Sequence, residues 1–181
     1  MICILNENNQ IINITTAKTP KADNERICYE WNMLWEQYTD EMPLEYAKCK
    51  KLEEVNSWTK SKIIGGFICY CYNNEPVLYD TDEETQLTMT KARANCQSEK
   101  FQVNFPNGMP CRGYVKVDED EDGNPIFDKD KTVLFFSDDQ IIAWDEDFSL
   151  FLSKCKGEGW VKQAEVEACT TKEEIDSIVL D

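Results

Sequence analysis

Histidine is missing from all 181 residues of the chain. The side chain that most often serves as general base, proton shuttle and metal ligand near neutral pH is therefore not available. Zinc sites of the Cys/His type cannot be completed, and a cysteine nucleophile has no imidazolium to stabilise its thiolate. Positive charge is the second shortage: 19 Lys and Arg face 35 Asp and Glu, for a formal charge of −16. Phosphate backbones and anionic membrane surfaces repel such a chain, and no compact Lys/Arg cluster is visible, so the charge argues against nucleic-acid binding. Long apolar runs are the third. The longest, Ile63 to Tyr72, is about ten residues and includes two glycines, against the ~20 needed to span a bilayer. Residues 1–16 have neither a basic n-region nor a continuous apolar h-region. The expectation is a soluble protein without membrane insertion, made in a reducing cytosol.

What is present supports a real core. Apolar residues make up 41% and aromatics 11%, enough for one domain, or one domain with a small appendage. The acidity reads first as solubility and self-repulsion, and second as a surface for basic or charge-complementary protein partners. Nine cysteines stand at positions 3, 28, 49, 69, 71, 96, 111, 155 and 169, with no Cys-x-x-Cys pair among them. In a reducing cytosol they act as small hydrophobes. Cys69-Tyr70-Cys71 comes nearest to a ligand pair, but alternation along a strand places both thiols on one inward side, which reads as core.

The most informative stretch is residues 63–96. A helical pattern stops at Gly65-Gly66, an apolar run goes from Phe67 to Tyr72, and a polar turn follows (Asn73, Asn74, Glu75, Pro76). Val77 to Tyr79 then forms the second arm of a hairpin, and Thr81-Asp82-Glu83-Glu84 has the Ser/Thr-x-x-Glu form of a capping box. Leu87, Thr88, Ala92 and Cys96 are expected to line the core side of that helix. Before this unit, Met1–Leu5 and Gln10–Thr16 read as a hairpin around an Asn-rich turn, and residues 17–24 as a polar linker. Ile27, Trp31, Leu34 and Tyr38 fall at helical spacing after Asn24, which predicts a helix. A second helix is predicted from Pro43 through Leu44, Ala47, Leu52, Val55 and Trp58.

After it, Phe101–Asn104, Met109–Val117, Ile126–Phe127 and Thr132–Phe136 read as strands. Ser137 and Gln140 form another capping box, opening a long helix on which Ile141, Trp144, Phe148, Phe151 or Leu152, and Cys155 recur. Gly157 and Gly159 predict a break in it, with resumption from Trp160 through Val161, Ala164 and Ala168. Thr170 to Glu174 starts a short final helix carrying Ile175, Ile178 and Val179. The fold class is α+β: an N-terminal β-hairpin, helices packed on a small antiparallel sheet, and a long C-terminal helical segment. Residues 1–43 form an attachment segment of hairpin and helix, and residues 44–181 the main α+β domain.

One stretch invites a metal-site reading. In Asp118-Glu119-Asp120-Glu121-Asp122-Gly123 the acids at loop positions 1, 3 and 5 and the glycine at 6 match the first half of a calcium-binding EF-hand loop. Pro125 and Lys129 stand where an apolar residue and a bidentate Glu belong, and the flanks read as strands. An acidic hairpin loop with Asp-Gly turn chemistry is the better description. No Gly-x-Ser-x-Gly, phosphate loop or dinucleotide fingerprint occurs. With 35 acids, carboxylate pairs are too common to single out a glycosidase. The five tryptophans, Trp31, Trp35, Trp58, Trp144 and Trp160, mostly fall on apolar helix faces, as core or interface. No catalytic, cofactor-binding or metal-binding residue is assigned, and no cofactor is called for.

An ordered series of segments resembles a phage tail-associated family. It comprises the helix YAKCKKLEEVNSWTKSKIIGGF ending at Gly66-Phe67, then Tyr79, Asp80, Asp82, Gln86 and Leu87, then the closing VKQAEVEACTTKEEIDSIVL. The opening ILNENNQIINI is similar to the small hairpin that begins many tail proteins. The family's C-terminal domain of unknown function occurs in tail-fibre and baseplate-region proteins of phages and prophages. Thr85, and Gly157 to Trp160, depart from its pattern. The resemblance implies a non-enzymatic structural component of a tail, baseplate or tail fibre, residing in the virion and made in the bacterial host cytoplasm. Its partners would be other tail or baseplate proteins and further copies of itself. The alternatives are an assembly factor or chaperone not retained in the particle and, third, a glycan-degrading tail enzyme. The N-terminal hairpin would add to a neighbour's sheet, with Trp31, Trp35, Phe151 and Leu152 as apolar anchors.

Overall fold

The structure is a computed structural model that describes residues 1–33 and 36–181. The chain divides into two compact units, Met1–Glu54 with Gln163–Asp181, and Val55–Lys162. The architecture is α+β, with antiparallel sheets and a long C-terminal helix.

In the first unit, β1 (Ile2–Leu5) and β2 (Ile11–Thr15) form the expected hairpin. Asn9 closes its turn at a φ of 60°, a left-handed conformation that Asn tolerates better than most residues. A third strand, β3 (Glu25–Ile27), pairs with the other edge of β1, giving the order β2-β1-β3. The helix predicted after Asn24 is therefore corrected: Ile27 is exposed and belongs to a strand. Hydrogen-bonding a second row of β1 backbone groups outweighs a weak helical periodicity, because an open strand edge leaves those groups without a fixed partner. Trp31 is not helical either: it stacks on Tyr29 at 4.8 Å, and its ring N–H donates to the Thr39 carbonyl. Leu34 and Trp35 lie outside the described residues. Cys3, Leu5 and Ile11 form the small core of this unit, with Ile14, Cys28 and Tyr38 against it.

Two helices supply residues to both units. α1 runs over Leu44–Ile64 and α4 over Asp138–Ala168. In the first unit, Lys48 donates to the Glu167 carbonyl at 2.9 Å. The expected short final helix is α5 (Lys172–Asp176), and it opens on a capping box, Thr171 with Glu174.

The second unit holds a five-stranded sheet. β4 (Phe67–Cys69), β5 (Val77–Tyr79), β6 (Met109–Glu119) and β7 (Pro125–Phe127) lie in that order, and β8 (Thr132–Phe136) also pairs with β6. Between them come α2 (Glu83–Asn95) and α3 (Glu99–Asn104). α3 corrects the strand expected at Phe101–Asn104. Ser98 caps it by accepting from the Phe101 N–H, and helical spacing brings Phe101 and Phe105 to 4.8 Å. α2 starts one residue later than the expected box: Asp82 is its N-cap, accepting from the Thr85 N–H at 2.8 Å. Its core side carries Met89, Ala92 and Cys96, whereas Leu87 is exposed. At α4, Ser137 and Gln140 do exchange the two bonds of a capping box. Phe67 is the hub of the core, in ring contact with Tyr79, Trp144, Phe148 and Phe151.

The break expected at Gly157 and Gly159 does not occur, since α4 is continuous. A Cβ at Gly159 would collide with the Thr59 side chain of α1, and the Thr59 hydroxyl is itself held by the Val55 carbonyl at 2.8 Å. Gly159 thus lets two helices approach closely, and Lys62 pairs with Glu158 beside it at 2.7 Å. Gly157 faces open space, with nothing within 4 Å of the place a methyl would take. Trp160 and Val161, expected on the apolar face, are exposed. The two glycines should therefore respond oppositely to alanine. G157A is expected to stabilise by about 0.5–1 kcal/mol through helix propensity, and G159A to destabilise by about 1–3 kcal/mol through overpacking. Urea denaturation of the two variants checks both signs.

Candidate interaction surface

A sheet with helices on one side usually turns a polar face to water. The five-stranded sheet departs from this. Its inward residues are Phe67, Cys69, Val77, Tyr79, Met109, Cys111, Leu134 and Phe136, all buried. Strand alternation sends Ile68, Leu78 and Tyr114 to the other face, where they sit in direct register across β4, β5 and β6. On the same face Pro110 lies opposite Phe135, and Arg112 opposite Val133. Ile68, Val133 and Phe135 are 43%, 50% and 53% exposed. No carboxylate occupies an outward position on β4, β5, β8 or the stretch of β6 from Pro110 to Lys116, where the charges carried are Arg112 and Lys116. Lys131 reaches across the Tyr114 ring, 5.4 Å from its centroid, to pair with Asp80. Arg112 has no ion pair among the described residues.

The rim of this face is β8. Its sequence, Thr132-Val133-Leu134-Phe135-Phe136, has no charge, no proline and no bulge. β6 is its one strand partner, and its other edge has no backbone partner among the described residues. Natural edge strands are commonly protected by charges, proline, bulges or covering elements. An apolar edge without any of these, flanked by exposed Val133 and Phe135, is a template for adding another strand.

The edges of the N-terminal sheet are less open. At β3, the Glu25 N–H is taken by the Ala22 carbonyl and the Ile27 carbonyl by the Tyr38 hydroxyl. At β2, the Ile11 N–H is taken by the Glu36 carbonyl, and Gln10 bridges to Gln37. Only the Asn13–Thr15 end of β2 lacks such cover among the described residues. The expected anchors are also engaged. Trp31 packs against Tyr29 and Tyr46 in the first unit. Phe151 and Leu152 pack onto the core of the second, and Trp35 lies outside the described residues.

A cleft of about 370 Å³ opens between the start of α2 and the first half of β6. Asp80, Asp82, Glu84, Arg112 and Lys131 line it together with Met89 and Trp144. Asp80 is paired with Lys131, and Asp82 is spent on the helix N-terminus, whose N–H groups hold its carboxyl below the usual range. Every carboxyl with a displaced pKa, Glu30, Asp82, Asp120, Glu158 and Glu174, is displaced downward, through hydrogen bonds. A glycosidase general acid requires the opposite shift.

The acidic loop is a hairpin turn between β6 and β7, with Gly123 at a φ of 81°. The Asp120 carboxylate accepts from the N–H groups of Asp122 and Asn124 and from the Asn124 amide. Its lone pairs thus serve the turn. Among the described residues no group of three or more Cys, Asp or Glu is arranged to hold a metal, and no helix is long and apolar enough to cross a membrane. No protein-family model, no curated protein and no solved structure matches the chain.

Asp82 gives a pH test. Its folded pKa lies below the unfolded one, so its contribution is present above the unfolded pKa and is lost as pH falls through the folded value. D82A should lower the melting temperature at pH 7, and the gap to wild type should close in strong acid. Melts followed by circular dichroism across the acid range check this.

Proposed function

We propose that the chain is a non-enzymatic structural component of a phage or phage-like tail, baseplate or tail fibre, which works by presenting a protein–protein interface. The observation that carries the interface reading is the open, uncharged β8 edge beside the outward row of Ile68, Leu78 and Tyr114. An apolar sheet face with an unsatisfied edge is usually found covered. Backbone pairing along β8 would provide affinity, while Val133 and Phe135 would provide side-chain specificity. Lys116 and Lys131 are paired with Glu119 and Asp80, which leaves Arg112 as the charge on this face that favours an acidic neighbour. The tail setting rests on the resemblance of the α1, Tyr79–Leu87 and C-terminal segments to the phage tail-associated family. Strand addition is here assigned to β8 and not to the N-terminal hairpin, most of whose edges are occupied.

The test is mass spectrometry of intact particles purified from an expressing lysate, comparing wild type with V133K/F135E. Wild type is expected at a fixed multi-copy stoichiometry. The double variant should be lost from particles while its stability stays within about 0.5 kcal/mol, because both side chains are solvent-facing. Absence of the wild-type chain from particles while it is abundant in the lysate would replace this reading with that of an assembly factor. Retention of the double variant at wild-type copy number would rule out β8 as the assembling edge.

A further inference from the structure

The cleft of about 370 Å³ beside β6 borders on backbone that the sheet leaves unpaired. The Asp128 N–H donates to the Val115 carbonyl, so Val115 directs its backbone groups toward β7 and β8. By strand alternation Gly113, Cys111 and Met109 do the same, while Tyr114, Arg112 and Pro110 direct theirs toward β5. Pro110 fits this placement, since a residue without an N–H belongs where the β8 ladder needs no donor. Tyr114 meets Leu78, but β5 ends at Tyr79 and no residue of it pairs with Arg112 or Pro110. The Arg112 N–H and C=O and the Pro110 C=O therefore lie on the cleft side of β6, without a backbone partner among the described residues.

The charges lining the cleft divide into spent and free. Asp80 is paired with Lys131, and the Asp82 carboxylate caps α2 by accepting from the Thr85 N–H. Glu84 and Arg112 are both exposed, and neither has an ion pair among the described residues. One anion and one cation are left over. Met89, Met109 and Trp144, all buried, are apolar members of the lining. A ligand that suits all of this carries an ammonium, a carboxylate and an apolar group on one small frame.

We propose that the cleft binds a free α-amino acid with an apolar side chain, its carboxylate held by Arg112, its ammonium by Glu84 and the open β6 carbonyls, and its side chain by Met89, Met109 and Trp144.

A guanidinium takes a carboxylate through two parallel hydrogen bonds, and the Arg112 backbone N–H offers a further donor. An ammonium has three donors, which one carboxylate and two carbonyls satisfy. The volume lies in the range of small-molecule sites, and removing an apolar side chain from water adds to the affinity. A simple amine or a simple carboxylate leaves one of the two free charges unmatched, which selects the zwitterion over either. None of this rests on the β8 interface: the readout is binding in solution, and Glu84 belongs to α2, outside the sheet.

The experiment is isothermal titration calorimetry of the full chain with L-leucine, L-methionine and L-phenylalanine, each beside its amide and its N-acetyl form. At least one free amino acid is expected to bind at one site per chain. Its two blocked forms should bind at least about tenfold more weakly, because each lacks one charge-assisted contact. R112Q should abolish the preference over the amide and keep the preference over the N-acetyl form, and E84Q should do the reverse. A purely structural effect of either substitution lowers all three affinities together. Both side chains are exposed, so circular dichroism should show both variants folded. The proposal fails if no free amino acid binds at millimolar concentration, if a blocked form binds as well as its parent, or if R112Q and E84Q leave the wild-type preferences unchanged.

Discussion

One buried hydroxyl holds the centre of the second unit together. Thr81 is fully buried, and its hydroxyl donates to the Ile63 carbonyl at the end of α1 while accepting from the Gly66 N–H at the start of β4. From its other side, the Gln86 amide donates to the Thr81 carbonyl at 2.6 Å and secures the first turn of α2. Three elements therefore meet at one residue whose hydroxyl and carbonyl are both hydrogen-bonded. Gly66 is part of the same constraint. Its φ is +91°, and a Cβ there would lie 2.8 Å from the Tyr79 carbonyl oxygen, so only glycine lets the chain leave α1 and enter the sheet at this angle. Phe67 follows immediately, and the ring cluster with Trp144, Phe148 and Phe151 is placed by that exit.

From that junction the sheet is laid out on β6. Its 11 residues pair in succession with β8, β5 and β7, so β8 is left on the rim with one partner. Helices cover the inward face, where alternation has put Phe67, Val77, Tyr79, Met109, Leu134 and Phe136. The outward face then has the composition of a buried surface and the exposure of a free one. Net charge opposes self-association of such a chain, and on the apolar face Lys116 and Lys131 are offset by Glu119 and Asp80.

Much of this was legible in the residues. The hairpin at the N-terminus, the Gly65-Gly66 stop, the strands 109–117 and 132–136, the cap at Ser137 and the short final helix all follow from local chemistry, because turn residues and caps act within four or five positions. The misreadings share a different cause. The strand 25–27 is decided by the vacant edge of β1, more than 20 residues away in sequence. The helix 99–104 is decided by one serine cap over the hexapeptide EKFQVN, whose two apolar residues, Phe101 and Val103, also fit the alternation of a strand. The continuity of α4 through Gly157 and Gly159 is decided by Thr59 on α1, which turns a helix-weakening residue into a packing requirement. Cys69 and Cys71 were expected to be alike, yet β4 ends between them, so one is buried and the other partly open.

The sequence by itself determined the class of the protein, its elements in outline, the absence of imidazole chemistry and the negative field, since composition and short-range patterning depend on no distant contact. Which face stays uncovered, which edge stays open, and the meeting of Cys69 with Asp147 were decided only by tertiary structure. Each depends on strand order and on groups up to 78 positions apart, and no local pattern carries that information.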